Sequence, residues 1–218
     1  MFAYPKQAEF NRILPKDIIY KNAKPSSAVK KRFVTEVSEI VWQYKLSKDT
    51  INLPPKDGIM EIQVFKITLK VPEPGRDVLK VIDKAVPYPI FYCLRFEDRV
   101  NYVTAHKRIS SSKVDKCIIV DYFETGWADA TRPEIPLPVA LDLKSLYEQM
   151  MVFYIGLQIR ANESLEELVE RSQKIRKKER ELQTLESKMA KEKQFKKKVD
   201  INVQMRSING ELAALKEE

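Results

Sequence analysis

The chain has one histidine, five glycines and two cysteines in 218 residues, and these scarcities exclude more than the common residues suggest. A lone histidine rules out an HExxH zinc site and any histidine-rich metal cage. The glycines, Gly58, Gly75, Gly126, Gly156 and Gly210, never cluster. A loop that wraps phosphates needs clustered glycines, because only a residue without Cβ lets the backbone approach so closely. Walker and Rossmann fingerprints are therefore absent. Cys93 and Cys117 are too few for a disulfide framework. Both sit in apolar runs and read as buried thiols packing as small hydrophobes. The apolar runs fall far short of the ~20 residues that span a bilayer. The N-terminus, Met1-Phe2-Ala3-Tyr4-Pro5-Lys6, lacks the apolar stretch and cleavage site of a signal peptide. A cytoplasmic protein without membrane association is expected.

What is present divides near residue 160. All 12 prolines and both tryptophans lie before it; beyond it there is one glycine and a text rich in Glu, Lys, Leu, Gln and Arg. Proline costs about 3 kcal/mol inside a helix, so nearly 60 residues without one permit a single long helix. The chain is read as a globular domain over 1–158 and a charged, coiled-coil-like arm over 163–216, capped by Asn162 or Ser164.

Inside the globular part, Ser26-Ser27 precede a run from Val29 to Val41 in which Phe33, Val34, Val37 and Ile40 fall near helical spacing, predicting a capped helix. Trp42 to Ser47 and much of Met60 to Val71 alternate apolar and polar residues, as half-buried strands do. A short helix is expected over Asp77–Ala85, a central strand over Ile90–Phe96, a hairpin return over Val100–His106 and a strand over Cys117–Phe123. A helix over Asp142–Gly156 should pack on the sheet through Leu143, Leu146, Tyr147, Met150, Met151 and Tyr154. The expected class is α+β, with a mostly antiparallel sheet and packed helices, followed by a long C-terminal helix.

The arm carries apolar residues at spacings of three, four and seven. Leu182, Leu185 and Met189, then Met205, Ile208, Leu212 and Leu215, are candidates for a seam that buries itself against a second copy, another protein or its own domain. The heptad phase shifts around 195–202, which marks a stutter or an interruption. Gly210 weakens the last stretch.

The net charge is +8, from 39 Lys+Arg against 31 Asp+Glu. Candidate nucleic-acid contacts are Lys30, Lys31 and Arg32 on the predicted Val29 helix, Lys174, Arg176, Lys177 and Lys178 in the arm, and Lys196, Lys197 and Lys198 further on. No helix-turn-helix, zinc-finger or RRM signature accompanies them, so DNA or RNA would be held nonspecifically through phosphates and with steep salt dependence.

Catalytic constellations are thin. Glu61 and Gln63 share a strand face and resemble half of a Mg²⁺-dependent nuclease site, but the missing acidic partner has only weak candidates in Asp49 and Asp57. Asp121 and Glu124 are three apart on a strand and face opposite ways. A Cys93–His106 pair would need an activated thiol, and an apolar setting does the reverse. No metal site and no cofactor are expected.

The strings Ile40-Val41-Trp42-Gln43-Tyr44-Lys45-Leu46-Ser47, Thr50-Ile51-Asn52-Leu53-Pro54, Glu61-Ile62-Gln63-Val64-Phe65, Val86-Pro87-Tyr88-Pro89-Ile90 and Tyr122-Phe123-Glu124-Thr125-Gly126-Trp127, with the charged C-terminal segment, resemble an uncharacterised prokaryotic family, domain of unknown function 4391. Its members tend to be encoded beside DNA methyltransferases and superfamily-two helicases in restriction-like or phage-defence loci. The resemblance implies a larger protein partner of that kind and supplies no catalytic residues. Three functions remain open: a non-catalytic interaction subunit of a DNA-processing assembly, a divergent nuclease using Glu61 and Gln63, and a self-associating scaffold without a nucleic-acid role.

Overall fold

The computed structural model describes residues 2–109, 117–131 and 133–217. The chain forms two compact units, one ending at Tyr154 and the other beginning at Ile155.

The first unit is built on a mixed sheet. Its long strands are β2 (Glu9–Ile13), β3 (Val37–Ser47), β4 (Glu61–Leu69), β5 (Ile90–Phe96), β6 (Arg99–Ile109) and β7 (Cys117–Glu124), lying side by side in chain order. All neighbours are antiparallel except β4 and β5. That parallel pair needs a crossover, supplied by helix α4 (Arg76–Ala85). The short strand β8 (Ala128–Asp129) pairs with β6, while β1 (Phe2–Ala3) pairs with β9 (Ile135–Pro136) in a separate ribbon. Helices α1 (Lys16–Ala23) and α2 (Ser27–Glu36) connect β2 to β3, and the single turn α3 (Lys48–Ile51) follows β3. The expected α+β class is what the chain adopts.

One face of the sheet carries the main core. Phe65, Ile67, Ile90, Tyr92, Leu94 and Val103 meet Ile19, Phe33, Val78, Leu79 and Ile82 from α1, α2 and α4. On the other face helix α5 (Leu143–Ile155) packs as its apolar residues predicted. Tyr147 packs edge-on and Tyr154 tilted against Phe91, at ring-centroid distances of 6.3 and 5.1 Å, and Met151 reaches Thr104.

The helix read from Val29 to Val41 is two elements. Ser26 caps it, its side chain accepting from the Val29 amide, but α2 stops at Glu36 and Val37 opens β3. The reason is a β-bulge between Val37 and Glu39. One extra residue resets the two-residue alternation, so Val37 and Ile40 both face the core at a spacing of three that imitates a helix. Lys16 then closes the helix end, its ammonium donating to the carbonyls of Phe33 and Val37.

The second unit replaces the single long arm with a helical hairpin. Helix α6 (Leu165–Lys191) and helix α7 (Phe195–Lys216) are joined by three residues at the point where the heptad phase shifts. The Glu192 carboxylate accepts from the amides of Lys193 and Gln194 and shapes the turn. Ser164 rather than Asn162 is the cap, in a reciprocal box with Glu167. Ion pairs Lys178–Glu211 and Lys216–Glu179, both 2.7 Å, fix an antiparallel register. At the open end Arg160 donates to the carbonyls of Ala214, Leu215 and Glu217, satisfying orphan groups of the α7 C-terminus. Arg171, buried, pairs with Glu163 at 2.6 Å and donates to Gln158 and Leu215 carbonyls.

Candidate functional site

The hairpin turn gathers the basic residues of the second unit. Lys188 and Lys191 end α6, Lys193 lies in the turn, and Lys196, Lys197 and Lys198 open α7. All six are exposed, as is Phe195 among them at 81%. The acidic residues in this stretch are Glu192, engaged by turn amides, and Asp200. Three lysines at the N-terminus of α7 repel its positive dipole end, so the arrangement costs helix stability. A ligand of opposite charge would relieve that cost.

The apolar seam has a use inside the unit. By the register of the ion pairs, Leu182 lies opposite Ile208, Leu185 opposite Met205 and Met189 opposite Ile201. These residues are half-buried, and Leu212 is buried. Leu215 is half-buried near the Arg171 contact. The other arm cluster is dispersed: Lys174 and Lys177 are exposed, Lys178 is tied to Glu211 and Glu181, and Arg176 is half-buried with its carbonyl held by Arg180. On α2, Lys30 and Lys31 are exposed, Lys30 lies 5.5 Å from the Tyr20 ring centroid, and Arg32 sits between Glu36 and Asp77 at 3.9 and 3.8 Å.

Glu61 and Gln63 do meet, as strand alternation requires: the Gln63 amide donates to the Glu61 carboxylate. The other Glu61 oxygen pairs with Lys45 of β3 at 2.9 Å. Lys45 thus supplies beside Glu61 the positive charge that a metal ion would bring. Asp57 is paired with Lys144 at 2.8 Å, which holds its carboxyl below the usual carboxylate range through that hydrogen bond. Among the described residues no group of three or more His, Cys, Asp or Glu side chains could hold a metal ion.

The Cys93–His106 pair does not form. Cys93 opposes Tyr102 while His106 opposes Asp121, so the two sit four residues apart along the ladder, about 13 Å at ~3.3 Å per residue. Burial pushes the Cys93 thiol up, and His106 Nδ1 is 3.2 Å from the Tyr147 hydroxyl. The side chain of Cys117 and the lead-in Lys113–Lys116 lie outside the described residues.

Two polar clusters were not anticipated from the pattern. Asp83, on the buried stripe of α4, accepts from the Tyr122 hydroxyl and pairs at 2.9 Å with Lys107, itself buried on β6. Lys107 also donates to the carbonyls of Val86 and Tyr88 at 3.0 and 2.7 Å. Burial, then the Asp83 charge, raises the Tyr122 phenol and keeps it a proton donor to the carboxylate. Near the other end of α4, Asn101 of β6 is buried, and its amide donates to Glu124 Oε2 at 2.8 Å. Arg76 binds the other Glu124 oxygen. A sequence signal existed: Asn101 and Lys107 interrupt the apolar face marked by Val103 and Ala105, and Asp83 interrupts that of Leu79 and Val86.

Comparison with known families decides the affiliation. A family model described as a domain of unknown function, DUF4391, matches residues 2–212. The chain belongs to this family. No curated protein and no solved structure matches it. Among the described residues, no helix is long and apolar enough to cross a membrane.

Proposed function

We propose that this DUF4391 protein is a non-catalytic interaction subunit of a DNA-modification, helicase or phage-defence assembly, and that its helical hairpin contacts nucleic-acid phosphates nonspecifically. The observation that carries the nucleic-acid part is the hairpin turn, where six exposed lysines converge and one acidic side chain is already bound by turn amides. A polyanion offsets both the mutual repulsion of these lysines and their clash with the helix dipole. The larger partner is inferred from the family's gene neighbourhood.

The nuclease alternative requires Glu61 to exchange its lysine for a metal ion, and the scaffold alternative requires a seam that the hairpin already uses internally. Both fit these contacts less well.

The test is fluorescence anisotropy with short single- and double-stranded DNA and RNA at two salt concentrations. Four phosphate contacts would weaken duplex binding on the order of a hundredfold between 50 and 200 mM salt. Reversing Lys196, Lys197 and Lys198 to glutamate should lower the slope of log K against log salt by about three, at roughly 0.9 per phosphate. An unchanged slope would remove the hairpin from the interface. A low-salt pull-down with nuclease treatment then separates a protein partner from one bridged by nucleic acid.

A further inference from the structure

Helix α7 is apolar on two faces. One is the seam toward α6, carried by Ile201, Met205, Ile208 and Leu212. The other begins with Phe195, Val199 and Val203, which repeat every fourth residue and lie roughly opposite the seam at about 3.6 residues per turn. They are 81%, 45% and 62% exposed, whereas α6 exposes no large apolar side chain among the described residues. Continued toward the C-terminus, this outer face passes through Gly210, Ala213 and Ala214, all exposed. A helix that is apolar all round is one packed on both sides. Gly210 adds a second sign. Glycine weakens a helix interior, and a Cβ built at Gly210 meets nothing within 4 Å. Packing inside the chain does not call for the missing side chain; close approach of another body does.

Two features choose the occupant. The outer face is large at its N-terminal end and small at its C-terminal end, so it complements its own reverse. Laid antiparallel about Val203, two copies set residue 196 opposite residue 210. Each Phe195 then falls over the second copy's small residues, and each Lys196 comes beside the second copy's Glu211. Charge selects the same direction. Lys196, Lys197 and Lys198 stand against a single Asp200 in the first half of α7, while Glu211 and Glu217 balance Arg206 and Lys216 at its end. A parallel pair would superimpose the two lysine clusters. An antiparallel pair separates them along a helix of ~33 Å and sets each beside the negative dipole end of the other α7.

We infer that the outer face of α7 is an interface with a second copy of this chain, in which two hairpins pack antiparallel through α7 into a four-helix bundle centred near Val203. The contact is isologous, so both copies bury the same residues. It leaves the seam between α6 and α7 intact and does not depend on nucleic acid.

The experiment is sedimentation velocity of the nuclease-treated full chain over a range of concentrations, with circular dichroism to follow the helices. A reversible dimer is expected. Val203→Asp places a charge at the two-fold centre and should weaken the dimer at least about tenfold. Helix content should be unchanged, since Val203 is exposed in the single chain. Gly210→Leu separates docking from folding: leucine is the better helix former, so helicity should hold or rise while the dimer weakens about tenfold through the lost seat for Phe195. Benzoylphenylalanine in place of Phe195 reads the direction, because irradiation should join it to residues 210–214 of the second copy. A chain that stays monomeric at about 100 μM has another occupant on this face or none, and overturns the assignment. So does a dimer that withstands either substitution, or a cross-link from position 195 to the same end of the second α7.

Discussion

Lys107→Met offers the sharpest test of how the first unit is held together. Lys107 and Asp83 have side-chain exposures of 3% and 0%. The ammonium lies 2.9 Å from the carboxylate and also binds the Val86 and Tyr88 carbonyls, so it joins β6 to the end of α4 and to the Pro87–Pro89 crossing that leads into β5. Methionine keeps the stem volume and removes the charge, leaving the Asp83 carboxylate buried without its ammonium partner and the Val86 and Tyr88 carbonyls without theirs. Removing one member of a buried pair costs about 3–5 kcal/mol. For a unit of this size each kcal/mol moves the melting temperature by roughly 2–4 °C, so a fall of about 6–20 °C is expected. Asp83→Leu alone should be comparably damaging, because it strands the ammonium. The double variant should recover part of the loss, since two apolar groups of similar volume can replace a buried pair at little net cost. Urea unfolding followed by circular dichroism measures all three. A Lys107→Met midpoint within about 1 kcal/mol of wild type, or a double variant as unstable as the sum of the singles, would refute the reasoning.

Three further outcomes follow from particular contacts. Arg171 beside Glu163, first through its hydrogen bond, holds that carboxyl below its usual range. The stabilisation it gives the hairpin is therefore complete above the unfolded carboxyl value of about 4.3 and is lost as pH falls through the lower folded value, so helix content should drop at acid pH, and Glu163→Gln should flatten that dependence. Ser164→Ala should cost the hairpin about 1 kcal/mol in thermal unfolding by removing the α6 cap. Glu61→Gln should leave the protein equally inactive on DNA with Mg²⁺ or Mn²⁺; cutting by the wild type that this variant abolishes would establish the nuclease reading instead.

Legibility tracked how local the cause was. The capped start of α2, the strands from β4 to β6 and the packing stripe of α5 announced themselves by periodicity, because each buries one face against a single layer. The end of α2 did not, because a bulge in β3 gives strand residues helical spacing. β2 and α1 were missed for another reason: β2 is an edge strand with mostly exposed residues, and of α1 only Ile19 is buried, so neither carries a clean apolar period. The hairpin was half-visible, since the phase shift near 195 marked the break, but direction after a break is set by Arg160, Glu211 and Lys216 across the fold. Of the candidate site residues, Glu61 and Gln63 were placed correctly on one face. Lys45, which determines what Glu61 is free to do, lies on the neighbouring strand and is invisible to spacing.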